Sequence, residues 1–148
     1  MITTQLPEKI KEKFNLDCQV EVGLVKILVP KESWGALAEF LRFEAGFSYF
    51  SFITAVDKKE KFEMVCRVEN LENKIACEFK AEVLPNQNLP TLSELWEGAI
   101  WQEREVFDLF GIKFVNHPDL KRILLPEDYT GHPLKKEFPL DKHYEPYR

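Results

Sequence analysis

The densest group of chemically capable side chains in this chain is Glu103-Arg104-Glu105 with Asp108. Paired carboxylates can share acid–base work when their surroundings separate their proton affinities, and on a helix Glu105 and Asp108 lie on one face. Arg104 and Asp108 are four residues apart, so an intrahelical ion pair accounts for them without catalysis. Glu103 falls on the apolar side of the same helix. It is expected to be buried and to need a donor, from Arg122 or from a backbone amide of the following segment. His117 and His132, with Asp119 or Asp128 nearby, are the candidate metal ligands, but their spacing is not that of a zinc site. A proline follows each histidine and marks a turn, so imidazoles bonded to backbone are the simpler expectation. Cys18, Cys66 and Cys77 contain no C-x-x-C pair and support neither zinc nor an iron–sulfur cluster. There is no G-x-G-x-x-G, no G-x-x-x-x-G-K-[ST] and no Ser/His/Asp spacing, so no nucleotide pocket is evident.

The elements that would position these groups follow from periodicity. Residues Thr4 to Phe14 read as a helix with Pro7 in its first turn and Leu6, Ile10 and Phe14 on one face. Strands are expected around Cys18–Val22 and Leu24–Val29, with Gly23 between them. A second helix reaches about Ala45, burying Trp34, Leu37, Ala38 and Leu41, and Gly46 stops it. Residues Phe50 to Asp57 form a third strand. Strands Phe62–Glu69 and Lys74–Leu84 flank a four-residue loop. Pairing Phe62 with Ala81, Met64 with Phe79, Cys66 with Cys77 and Val68 with Ile75 gathers every apolar residue on one face. It also sets Glu63 against Lys80 and Glu69 against Lys74 on the other. Cys66 and Cys77 then face one another as two buried thiols. Ala99, Glu103, Val106, Phe107 and Phe110 recur at helical spacing, and Gly111 ends that helix. The fold class is α+β: a mainly antiparallel sheet covered by helices, followed by an extended irregular C-terminal arm.

That division gives an α+β domain at 1–110 and an arm at 111–148. In the arm Pro118, Pro126, Pro133, Pro139 and Pro146 each remove a backbone donor and stop a helix. Yet Ile112, Phe114, Val115, Leu120, Ile123, Leu124, Leu125, Leu134, Phe138 and Leu140 make it oily. A ribbon of that kind needs a surface to lie on, and the expectation is another protein. The net charge is −5, with 13 basic against 19 acidic residues before Gly111 and 7 against 6 from there on. An acidic body argues against nucleic acid, which demands a basic face, and against direct adhesion to anionic lipid. No apolar run approaches the ~18–20 residues that span a bilayer, and the first residues do not read as a signal peptide. The expectation is a cytoplasmic chain that meets a membrane only through a partner.

Three ordered blocks carry a family resemblance. Trp101 to Phe114 reads W-x-E-R-E-x-x-D-x-F-G-I-x-F, His117 to Pro126 reads H-P-D-L-x-R-I-L-x-P, and Gly131 to Glu137 reads G-H-P-L-[RK]-K-[DE]. In these blocks the chain resembles the C-type subunit of the respiratory NADH:quinone oxidoreductase (complex I), a family shared with the equivalent subunit of membrane-bound nickel–iron hydrogenases. Weaker agreement reaches upstream to Phe50–Asp57; Ile100 and Tyr129 depart from the usual pattern.

The resemblance implies a non-catalytic, cofactor-free peripheral-arm subunit on the cytoplasmic side of the membrane. NADH, FMN, iron–sulfur clusters and quinone would be handled by other subunits of the assembled complex. It implies that the arm docks on the large, hydrogenase-like subunit, beside neighbouring iron–sulfur subunits. Phe114, His117, Leu120, Arg122 and Leu124, then His132, Leu134, Lys135, Lys136 and Phe138, would touch the partner. Trp101, Glu103, Arg104, Glu105, Asp108, Phe110 and Gly111 would fix the helix against the arm. The alternatives are the matching subunit of a hydrogenase or ferredoxin-linked complex, and a free-standing small enzyme using Glu103/Asp108 or His117/His132.

Overall fold

A computed structural model describes residues 2–139. Helix α1 (Ile2–Phe14) leads into β1 (Cys18–Glu21) and β2 (Leu24–Leu28), and a short turn, Lys31–Ser33, opens α2 (Trp34–Glu39). Helix α2 widens into a π-turn at Phe40–Glu44 before Gly46, at φ 76°, releases the chain. Strands β3 (Tyr49–Asp57), β4 (Phe62–Asn70) and β5 (Ile75–Val83) follow, then β6 (Asn88–Pro90), α3 (Ala99–Phe110) and β7 (Lys113–Val115). Helix α1 starts two residues earlier than its apolar spacing suggests, which puts Pro7 inside it rather than in its first turn.

The five-stranded sheet runs β1-β2-β5-β4-β3. Every pair is antiparallel except β2 with β5, which the crossover through α2 forces to be parallel. One face carries the core: Val25, Ile27, Met64, Cys66, Cys77 and Phe79 bury against Leu6, Ile10, Trp34, Leu37 and Leu41 of the helices. Trp34 and Phe79 meet with ring centroids 4.7 Å apart. The opposite face pairs its own charges, with Glu63 reached by Lys58 at 2.7 Å and Lys80 at 3.8 Å, and Lys61 bonded to Glu82 at 2.7 Å.

The β4–β5 hairpin keeps the expected inward face but not the expected pairs. Met64 stands opposite Ala81, Cys66 opposite Phe79, Val68 opposite Cys77 and Asn70 opposite Ile75. The strands are offset by two residues from the sequence pattern. A two-residue slip returns every side chain to the same face, so hydrophobic alternation cannot detect it. The turn decides instead. Asn70 accepts a hydrogen bond from the Asn73 amide at 3.2 Å and donates to the Ala45 carbonyl at 3.2 Å, which places the loop at Leu71–Lys74. Glu69 consequently lies beside Arg67, at 3.6 Å, rather than paired with Lys74, and Glu63 reaches Lys80 on a diagonal.

Strand β3 is a sheet edge, and α3 closes it. The Ile53 amide, which faces away from β4, donates to the Gln102 side-chain oxygen at 2.8 Å. The Trp96 indole donates to the Phe47 carbonyl at 3.0 Å, and Phe62 meets Phe110 edge-on. The core also runs past Gly111. Ile112 and Phe114 are buried in it, and β7 pairs parallel with β6. The domain boundary read at Gly111 therefore moves to about Val115, and Phe114 serves this chain's own core rather than a partner.

Because the observed register takes Cys66 and Cys77 out of opposition, and because Cys18, Cys66 and Cys77 are all free, titration of the unfolded, unreduced protein is expected to count three thiols. A count of one would mean a disulfide and would overturn the observed register.

Candidate functional site

Asp108, the last member of the charged cluster, sits at the C-terminal end of α3, where the last carbonyls lack intrahelical donors and the dipole disfavours a carboxylate. Asp108 is nevertheless fully buried there. One carboxylate oxygen meets the Arg122 guanidinium at 2.8 Å. The other accepts the amides of Ile123, Leu124 and Leu125 at 3.3, 2.9 and 3.0 Å. Three successive amides converging on one oxygen form a backbone nest for an anion. Burial pushes the Asp108 carboxyl up, but Arg122 and the amides of Leu125, Leu124 and Ile123 outweigh it and hold the group below the usual carboxylate range.

The segment that supplies those amides also caps the helix. The Asp108 carbonyl accepts from Arg122 at 3.2 Å and from the His132 ring at 2.9 Å, and the Leu109 carbonyl accepts from the Leu134 amide at 3.0 Å. Gly111, in the left-handed region at φ 80°, lets the chain turn while the His132 ring lies over it. A Cβ there would stand 2.9 Å from the ring, so two constraints select glycine. Arg104 does not pair with Asp108. Its guanidinium donates to the Lys121 and Arg122 carbonyls at 3.0 and 2.9 Å, and stacks 5.3 Å over Trp101. The expected i,i+4 pair fails because both members find better-buried partners on the arm.

Glu103 is fully buried, and its donors come from a place the sequence did not suggest. Leu92 donates its amide at 2.7 Å and Thr91 its hydroxyl at 2.5 Å; Arg122 does not reach it. Burial raises the carboxyl to about 7 despite the lowering pull of those two donors. His117 sends a buried ring beside it, with Nε2 3.7 Å from Glu103. That nitrogen donates to the Ile100 carbonyl at 3.0 Å, while Nδ1 accepts the Asp119 amide at 3.0 Å. Further along, Asp57 accepts the Lys136 amide at 2.8 Å, and Lys135 lies over the Phe62 ring. Phe138 stacks on Tyr129 within the arm.

Of the residues expected to fix the helix against the arm, Arg104, Asp108 and Gly111 touch it; Glu103 is bonded to Thr91 and Leu92, Phe110 packs on Phe62, and Glu105 and Trp101 point outward. Of those read as partner contacts, Arg122, His117 and His132 are committed to this chain, and Leu120 is partly buried against its core. Leu124 and Leu134 remain 62% and 52% exposed, and Trp101 58%. Leu140 and the arm beyond it lie outside the described residues. The titratable groups brought together here are engaged with backbone or with each other. Among the described residues no three His, Cys, Asp or Glu side chains converge as a metal ion requires. The surface groove lined by Leu28, Pro30, Lys61 and Leu84 shares no residue with the cluster. What the geometry achieves is mechanical: it holds an irregular ribbon in one shape with Leu124 and Leu134 turned out.

Replacing Asp108 by Asn should strand the Arg122 guanidinium and lower unfolding free energy by about 2–4 kcal/mol in a denaturant melt. Because the folded carboxyl lies below its ordinary value, its stabilisation is complete above about pH 4 and is lost as pH falls further. The Asn variant should therefore lack part of the wild-type acid-unfolding limb. Equal acid profiles for the two proteins would contradict the nest.

The profile of the family described as respiratory-chain NADH dehydrogenase, 30 Kd subunit, matches residues 27–144. A protein of Geotalea uraniireducens, named as the C-type subunit of NADH-quinone oxidoreductase, is 38% identical over 95% of this chain and 90% of its own length. One of the same name in Moorella thermoacetica is 39% identical over 85% and 87%. A Sulfurihydrogenibium protein, named as the combined C/D subunit of NADH-quinone oxidoreductase, is 38% identical over 95% of this chain but only 25% of its own. Among solved structures, a chain of the membrane-bound sulfane sulfur reductase, an archaeal respiratory membrane complex, superposes with a TM-score of 0.79 at 25% identity. That superposition covers 93% of this chain and 85% of the other. Sequence and fold agree with the three motif blocks: the chain belongs to the 30 kDa subunit family of respiratory-chain NADH dehydrogenase, and is part of a multi-subunit, membrane-associated respiratory complex of that kind.

Proposed function

We propose that this chain is the C-type subunit of an NADH:quinone oxidoreductase, that it carries no redox centre, and that it docks by its arm on the large hydrogenase-like subunit. The observation that carries the proposal is the clamped ribbon itself. Water is a poor solvent for Leu124 and Leu134, yet the backbone beneath them is held, by the Asp108 carboxylate at the Leu124 amide and by the Leu109 carbonyl at the Leu134 amide. Holding apolar side chains outward on a preformed scaffold lowers the entropy lost when a partner covers them. Trp101, stacked on Arg104, has the makings of an interface anchor. The opposite face of the sheet carries ion pairs among its own side chains, with Leu28 and Val56 exposed singly beside them.

The relative named for both the C and D parts supports docking on another subunit of the same complex. It joins a C part like this chain to a D part in a single polypeptide, and this chain matches only a quarter of it. Covalent union is tolerated when the two parts already lie side by side. In this reading NADH, FMN, iron–sulfur clusters and quinone belong to the other subunits, and the complex presents this chain on the cytoplasmic side. No helix among the described residues is long and apolar enough to cross a membrane, which fits attachment through the partner. The likeness to the sulfane sulfur reductase complex favours a second reading, the equivalent subunit of a hydrogenase-related complex fed by another electron donor.

Two variants test the docking. Deletion of residues 116–148 removes the partners of the buried Asp108 carboxylate, so it should abolish co-purification with the large subunit and also lower the domain's unfolding free energy by about 3–5 kcal/mol. Leu124→Asp combined with Leu134→Asp should leave the melting temperature of the isolated chain unchanged and weaken co-purification at least tenfold, on the order expected for two interface anchors. Capture of the partner at wild-type strength by both variants would mean that the arm is not the anchor.

A further inference from the structure

The Glu103–His117 pair has a property the docking reading leaves unused. His117 belongs to an otherwise exposed turn, with Val115, Asn116, Pro118 and Asp119 all in solvent, yet its own ring is buried. Backbone bonding of the turn is thin: the His117 amide reaches the Phe114 carbonyl only at 3.4 Å, and Asn116 sits at φ 65°. The ring is therefore the plug that seats the start of the arm on α3. It is neutral as placed, because Nδ1 accepts the Asp119 amide and Nε2 donates to Ile100. Beside it, Glu103 has two donors among the described residues, Thr91 and Leu92.

We propose that Glu103, lying against the buried His117 ring, forms a one-proton latch that seats the base of the arm when its carboxyl holds a proton and loosens it when the proton leaves. With the proton on Glu103, the carboxyl can donate to Thr91, whose hydroxyl already accepts the Ser93 amide, and the neutral ring keeps both backbone bonds. With no proton, a buried carboxylate faces a neutral ring and those two donors, the costly state. The other charged and titratable groups around the pair do not compensate it. Arg104 is turned to the Lys121 and Arg122 carbonyls, Asp119 pairs with Lys121 in solvent, and Cys66 of β4 is a thiol that burial keeps protonated.

The sign follows. The folded carboxyl, raised to about 7 from an ordinary 4.5, holds a proton that the unfolded chain releases. Its stabilising contribution is complete below about pH 4.5 and is lost as pH rises through about 7. The latch rests on the docking reading for its purpose, presentation of the arm to a partner, but not for its existence.

The test is hydrogen exchange in the full chain, alone, from pH 5.5 to 8.5, corrected for intrinsic base catalysis, with the Asp119 amide as reporter. Protection should fall by up to about tenfold between pH 6 and 8 in the wild type and should not depend on pH in Glu103→Gln. Should that variant not fold, the carboxyl carbon resonance of Glu103 in the wild type supplies the answer, with a midpoint near 7 expected. Protection independent of pH in the wild type, the same slope in Glu103→Gln, or a midpoint near 4.5 would overturn the latch. Co-purification at pH 6 separates the two ideas: a latched chain that captures no large subunit sinks the docking and leaves the latch standing.

Discussion

Helix α3 ends with a buried carboxylate and its last carbonyls aimed at one spot, and the following thirty or so residues are arranged to satisfy them. Asp108 alone would cost several kcal/mol to bury as an unpaired ion. It is tolerable because Arg122 and three consecutive amides meet it. Each of these comes from a segment that five prolines bar from regular structure and that has no ladder of its own to use its backbone donors. The two defects cancel. The helix end needs donors, and the arm needs acceptors.

Everything upstream serves to hold that helix end still. The sheet buries one face on α1 and α2, and its edge at β3 is closed by Gln102 of α3 rather than left to pair with another chain. Ile112 and Phe114 extend the core beyond Gly111, so the arm leaves the body from a rigid point. Beyond it, buried bonds at Arg104, Asp108 and Asp57 fasten the backbone while Leu124 and Leu134 face out. The division of labour is by chemistry: polar backbone inward, apolar side chains outward. That inverts the usual arrangement of a loop, and a covering protein gives the inversion a purpose.

The sequence made much of this legible, and the failures have definite causes. Alternation identified both strands of the β4–β5 hairpin and their inward faces, because a side-chain period of two survives any even slip; the register itself was set by Asn70 at the turn, which alternation does not see. Helical spacing found α3 and the burial of Glu103, but not its donors, since Thr91 and Leu92 are distant neighbours brought in by the β6–β7 pairing. The pairing of Arg104 with Asp108 was the natural local expectation and was displaced by tertiary partners. One signal was available: an aspartate in the last turn opposes the helix dipole, and so must answer to something beyond the helix. The proline-broken, oily ribbon was plain to read. That it would be pinned by its own body and still show its leucines was not, because that depends on which atoms, backbone or side chain, find the buried partners.

The central claim is that the arm is shaped by this chain before any partner arrives. Amide hydrogen exchange at Ile123, Leu124 and Leu125 in the isolated full-length protein measures it directly. If Asp108 gathers these three amides, they exchange slowly and together, at least about tenfold slower than in an unstructured peptide, and Asp108→Asn returns all three to the free rate. Free-peptide rates at those amides in the wild type would contradict the account.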